Sequence, residues 1–156
     1  MKNIKYLWYL IRHKAFVFRA GLYMGVSSWQ LFIHDWSKFT PTEWIPYCEH
    51  FYGKDRGKPN RPGTKLFAAA WRHHIFNNPH HWNHWSFVGN SGKVTTHEMP
   101  EKYVKEMVAD WLGAGRAISG KWGDVSTWYE KEKDKMVLHP ETRVLVEFLM
   151  EKAKKF

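Results

Sequence analysis

The stretch QLFIHDWSKF, residues 30–39, runs from apolar Leu31-Phe32-Ile33 straight into His34 and Asp35, with Lys38 three residues on. An imidazole beside a carboxylate can ligate a metal or move a proton. The plainer reading is a helix end meeting water. Two distant residues favour chemistry. At about 100° per residue, His13 shares an arc with Tyr6, Tyr9, Leu10, Val17 and Ala20. Asp110 shares one with Tyr103, Met107 and Ala114. A carboxylate on an apolar arc is costly unless a cation or an arginine meets it. His13, His34, Asp35 and Asp110 suit a divalent metal of borderline hardness: Mn, Fe, Co, Ni, Zn or Mg. Adjacent residues on a regular helix point about 100° apart, so His34 and Asp35 can share an ion only near a helix end or across a cleft.

A second concentration lies in RHHIFNNPHHWNHW, where His73, His74, His80, His81 and His84 make five of the chain's ten histidines. Imidazole is a common metal ligand and a general acid or base near neutral pH. One of His73 and His74 can face inward and the other solvent, because they are neighbours on a helix. Asn77-Asn78-Pro79 turns the chain and brings His80 and His81 back. The cluster is then a second metal position or a set of substrate contacts; a His- and Trp-rich surface turn is the alternative. His84 is the weaker candidate, and His50, His97 and His139 read as structural. The single cysteine, Cys48, argues against a thiolate zinc site and against any internal disulfide.

The elements that must position these groups are mainly helical. Residues 3–25 read as one helix, and 28–36 as a short second helix ending at the His-Asp pair. TPTE, residues 40–43, is a capping-box start with Thr40 as cap and Glu43 three on, for a helix to about Phe51. Residues 53–63 form a Gly- and Pro-rich polar loop, followed by a helix from Thr64 to about Phe76. Residues 86–96 suit a small hairpin. Helices follow over MPEKYVKEMVADWLGAGRAIS, over STWYEKEKDK and over HPETRVLVEFLMEKAKK. The expectation is one all-α domain over 1–156, a bundle of about six or seven helices with one small hairpin.

His13, then FIHDWSK, then Asp110 resembles the pattern of the HD-domain metal-dependent phosphohydrolases. HDWSKF is similar to the His-Asp-x-Gly-Lys run common there, with Ser37 in place of Gly. WRHHIFNNPHH is similar to the extra histidines of two-metal members, and VADWLGAGRA to the final Asp segment. The likeness covers roughly residues 13–116 and is nearest to small phage and bacterial proteins without settled function. The 21-residue spacing from His13 to His34 is short for that pattern, and Trp36 is large beside a site that must admit substrate.

The resemblance implies an HD-like bundle that hydrolyses a phosphate ester with metal-activated water. His13, His34, Asp35 and Asp110 hold the metal, and His73, His74, His80 and His81 supply candidates for a second. Asp35 also orients the water, and His73 or His74 protonates the leaving oxygen. Lys38, then Arg72 and Arg116, are candidates for the phosphate, and Trp36, Trp82 or Trp85 for stacking a nucleotide base.

Bulk composition fits these expectations without choosing among them. The chain has 156 residues, 17% of them aromatic, and a formal net charge of +9, which favours anionic partners. No uncharged apolar run of about 18 residues is present, so membrane insertion is not expected. No signal-peptide pattern is visible, and the expected location is the bacterial cytoplasm, with a phage-encoded origin also open. Two rival readings are a nucleic-acid-binding module without catalysis and a metal-stabilised HD-like scaffold without turnover.

Overall fold

In a computed structural model, residues 1–54, 56, 62–123 and 125–156 are described. They form seven α-helices and one two-stranded hairpin: α1 (Lys2–Met24), α2 (Ser28–Ile33), α3 (Pro41–Tyr52), α4 (Pro62–Asn77), β1 (Ser86–Val88), β2 (Val94–Thr96), α5 (Glu101–Ser119), α6 (Val125–Glu132) and α7 (Pro140–Ala153). The strands pair antiparallel, with Phe87 opposite Thr95. The all-α expectation holds, hairpin included. Most of the loop expected over 53–63 lies outside the described residues, and α4 begins at Pro62 rather than Thr64, taking the loop's last two positions. Among the described residues, no helix is long and apolar enough to cross a membrane.

α1 runs through both parts of the core. Its first half carries Tyr6 and Leu10 into an aromatic cluster with Tyr47 and Cys48 of α3 and Ala70 of α4. Its second half carries Val17, Ala20 and Met24 against Val104, Met107, Val108 and Leu112 of α5 and Val146, Leu149 and Met150 of α7. His13 sits between Leu10 and Val17, where the two clusters meet. Gly25 ends α1 in the left-handed conformation, giving its N–H to the carbonyls of Gly21 and Leu22.

One further boundary and one cap differ from expectation. The second helix stops at Ile33 rather than reaching 36, and a 3-10 turn follows over Trp36–Phe39. Between them, Asp35 has φ +57°, the only non-glycine positive φ among the described residues. The Lys14 ammonium binds the carbonyls of Phe32 and His34, which the ending helix leaves without helical partners. At α3, Thr40 is the N-cap residue, but its side chain makes no cap bond. Glu43 is instead fully buried, drawn inward by two histidines of α4.

The α1–α5 approach is tight at one place. A Cβ on Gly113 would stand 2.7 Å from the Val17 backbone nitrogen. Gly113 lies three residues beyond Asp110, and Val17 four beyond His13, so this contact sets the helix separation where those two side chains meet. Gly113→Ala must push the helices apart, since backbone cannot rotate away as a flexible side chain can. The expected result is a loss of about 1–3 kcal/mol in chemical denaturation. The His13–Asp110 pairing should loosen with it, read as altered His13 ring resonances by NMR.

Candidate metal centre

The end of α2 explains how neighbours in sequence can face one centre. With the helix broken at His34 (φ −48°, ψ 131°) and the chain turned left-handed at Asp35, both side chains point between α1 and α5. His13 Nε2 lies 3.1 Å from Asp35 Oδ2 and 3.2 Å from Asp110 Oδ1. His34 Nε2 lies 3.5 and 3.4 Å from the same two oxygens. Ligand atoms bound at about 2.0–2.2 Å to one ion sit roughly 3.0–3.5 Å apart. The four groups expected from the sequence therefore have the mutual spacing of a ligand set.

The other oxygen of Asp35 belongs to a second set with His74, His80 and His81. Asp35 Oδ1 is 3.2 Å from His74 Nε2 and 3.5 Å from His80 Nε2, and His81 Nε2 is 2.8 Å from His74 Nε2. One carboxylate thus faces two donor groups. His34 Nε2, His80 Nε2, Asp35 Oδ1 and Asp110 Oδ1 are buried without hydrogen-bond partners. Four such atoms, converging from three segments, fit a bound cation. A third grouping, His34, His80 and Glu106, has similar spacing. It uses the Nδ1 atoms of the two rings, and there Glu106 is better placed as an acceptor.

Carboxylates behind the donors fix the rings. His34 Nδ1 donates to Glu106 Oε1 at 2.8 Å, and His74 Nδ1 to Glu43 Oε2 at 2.8 Å. Each bond fixes the ring with Nε2 toward the centre, the arrangement usual around metal-bound histidine. Gln30 holds the far oxygen of Glu106 at 2.6 Å. Sequence reasoning missed both glutamates. Glu106 stands four residues before Asp110, on the same face of α5, which was a usable signal; Glu43 was masked by its place in a capping pattern.

The buried charges act strongly on one another. Burial pushes the His34 imidazole down, but Asp35, Asp110 and Glu106 outweigh it and lift it to about 10. Burial would raise Asp35, yet His34, Lys38 and His74 hold its carboxyl well below the usual range. His80 and His81 go the other way. Burial, reinforced by His34 and His74 at His80 and by His80 and His74 at His81, keeps them neutral.

The remaining candidates are spread more widely. Lys38 is mostly buried and pairs with Asp35 Oδ2, beside the donors. His73 departs from expectation: it binds Glu43 at 2.7 Å and belongs to neither donor set, because its neighbour His74 takes the inward direction on α4. Trp36 is 60% exposed and stacks on Phe32 and Phe39, turned outward by the 3-10 segment. Arg116 lies over Phe16 and Trp122, on another side of α5 from Asp110. Arg72 is exposed on α4. Trp82 and Trp85 pack against the aliphatic core instead of standing free for a base. His84 binds the Ile75 carbonyl, His50 and His97 stack on Phe67 and Phe87, and His139 occupies the N-cap position of α7.

A cleft of about 620 Å³ lies one layer of side chains away from the donors. Tyr9 in its wall stacks on His13 at 5.9 Å, Trp71 on His74 at 5.7 Å, and Lys38 reaches Asp35. Tyr47 meets His74 edge-on at 6.1 Å. These four side chains stand between the cleft and the candidate ligands.

Fold and site define the chain as an all-α protein with a buried His/Asp cluster able to hold a metal ion. It belongs to DUF5662, a family of unknown function, whose pattern matches residues 2–152. No curated protein and no solved structure matches it.

The protonation pattern gives metal binding a definite pH dependence. With His34 at about 10, its imidazole is charged at neutral pH in the metal-free protein, and an ion must displace that proton. Apparent metal affinity should rise from pH 6 toward pH 9, by about tenfold per pH unit for each proton displaced. Calorimetry in buffers of different ionisation enthalpy reads the proton release directly.

Proposed function

We propose that the chain is a metal-dependent phosphohydrolase of the HD type, acting on an organic phosphate ester. The observation that carries this reading is the shared carboxylate: each oxygen of Asp35 faces its own donor set, beside a lysine that also lines an open cleft. His13, His34 and Asp110 would hold one ion with Asp35, and His74, His80 and His81 a second. Bound there, divalent ions would supply an acidified water and polarise the phosphoryl oxygens.

The chain's own groups have distinct parts. Glu106 and Glu43 keep the His34 and His74 rings turned, so the donors need no rearrangement when substrate arrives. Lys38 places positive charge beside Asp35, where a phosphoryl group would gather negative charge. His74, facing the second donor set, is a ligand rather than the acid for the leaving oxygen.

Metal analysis of the purified protein should find about two ions per chain. His13→Ala and His81→Ala should each lower the content toward one. Asp35→Asn, which keeps the side-chain shape, should lose both ions together with turnover of p-nitrophenyl phosphate. Full metal content and unchanged turnover in Asp35→Asn would sink the assignment.

A second reading draws on a different surface. Trp29, Phe32 and Trp36 form an exposed row of stacked rings, with centroids 5.8 and 6.5 Å apart, on a chain of net charge +9. Such a row suits single-stranded nucleic acid. Binding of a labelled oligonucleotide that weakens steeply with salt, persists in chelator and falls in Trp36→Ala would support it. Equal binding by Trp36→Ala would exclude the row.

A further inference from the structure

α1 is apolar on the side that faces solvent as well as on the side that faces the core. Tyr6, Leu10, Val17 and Met24 mark its buried face. At about 100° per residue, Ile4, Trp8, Ile11, Ala15 and Leu22 fall within about 40° of one line on the opposite face. All five are exposed, and Ile4, Trp8, Ile11 and Leu22 are so by 72%, 61%, 49% and 51%. The row is roughly 27 Å long at 1.5 Å per residue. A surface helix ordinarily turns polar residues to water, and a continuous exposed apolar row marks an interaction surface. Ile118 of α5, which lines the same cleft rim as Trp8 and Arg12, is exposed too and widens the apolar surface there.

Charge borders this row. Residues 1–34 hold Lys2, Lys5, Arg12, Lys14 and Arg19 and no Asp or Glu. Lys2 is neutralised by Glu49, and Lys14 is turned to backbone carbonyls. Lys5, Arg12 and Arg19 lie about 60–100° to one side of the row. They have no carboxylate partner among the described residues. Arg12 lies over the Phe16 ring and Arg19 over Trp122, contacts that leave both charges in place.

We infer that the solvent face of α1 seats the protein on an anionic phospholipid surface. The apolar row enters the headgroup boundary, and Lys5, Arg12 and Arg19 meet lipid phosphates. The helix lies flat, because its other face belongs to the core and charge interrupts its middle. Exposed Ile, Leu and Trp flanked by Lys and Arg are the pattern of such interfacial helices. The inference stands on α1 alone and does not depend on the metal centre. Other occupants fit less well. A second copy docked about a two-fold axis brings the same basic flanks together, with no acid before Asp35 to answer them. Single-stranded nucleic acid answers the charge, but Ile4, Ile11 and Leu22 give a base no ring to stack on.

Sedimentation with large vesicles tests this. The protein should bind vesicles of mixed phosphatidylglycerol and phosphatidylcholine, bind pure phosphatidylcholine about tenfold or more weakly, and be released as salt rises. Ile11→Gln, an exposed change that spares the core, should weaken binding by roughly fivefold, and Lys5→Gln by about as much. Phe148→Gln on α7, where the ring is also exposed, should bind as the unchanged chain does. Trp8→Phe should keep binding yet lose part of the tryptophan quenching by brominated lipid, an effect that misfolding alone does not produce. No binding to the mixed vesicles, or equal binding when Ile4→Gln and Ile11→Gln are combined, overturns the inference. A lipid-free dimer that Ile11→Gln abolishes would assign the face to a second copy and overturn it as well. So would oligonucleotide binding that Ile11→Gln weakens while vesicle binding stays unchanged.

Discussion

Everything near the centre depends on where the Asp35 carboxylate is held. It is buried, and its two oxygens face different donor groups. Neither a continued helix nor an extended strand would place it so. The left-handed backbone at Asp35 does, after a helix that stops two residues earlier. That conformation is uncommon outside glycine, though aspartate tolerates it better than most residues. Lys14 and Lys38 work on opposite sides of the turn. The first binds the carbonyls left by the ending helix, and the second neutralises the carboxylate that the turn delivers. The local cost is therefore met by contacts from α1 and from the following turn.

The frame around Asp35 is built for fixed spacing rather than for bulk. His13 reaches the centre from the middle of the longest helix, with apolar packing on either side of it. Asp110 reaches it from α5, just before the point where glycine lets the two helices close on each other. A side chain anchored in this way loses little freedom on taking a ligand, because packing has already fixed it. Glu43 and Glu106 add orientation from behind. Hence donors from α1, from the end of α2, from α4 and the segment after it, and from α5 can meet without a dedicated loop.

Some of this arrangement was legible in the sequence, for a definite reason. His13 and Asp110 are polar residues on apolar arcs, and helical periodicity exposes such residues whatever the tertiary fold. His34-Asp35 closed an apolar run, which marked the pair in the same way. The same logic could not choose between His73 and His74, because the inward direction of α4 is set by packing against α3. Glu43 matched a local capping pattern, and that pattern hid its partnership with a helix 30 residues away. Trp36 stood next to the doublet in sequence, but the 3-10 turn swings it outward. The cleft left no linear trace either. Tyr6, Tyr47 and Trp71 converge only after α1, α3 and α4 pack.

A buried network of histidines and acids can be satisfied by protons as well as by metal, and the two cases differ in how the rings are paired. In a proton-filled network each imidazole donates to a carboxylate. His34 and His74 do so through Nδ1, with Glu106 and Glu43. Their Nε2 atoms, with that of His80, nevertheless gather around Asp35, and His80 Nε2 and Asp35 Oδ1 lie 3.5 Å apart with neither making a hydrogen bond. His80 and His81 are also held neutral by their surroundings. Lys38 and the charged His34 offset part of the Asp35 charge, and a bound cation would meet the neutral rings as well. A proton can bridge only two such atoms. Several donors within reach of one point are an arrangement that a single divalent cation can hold at once.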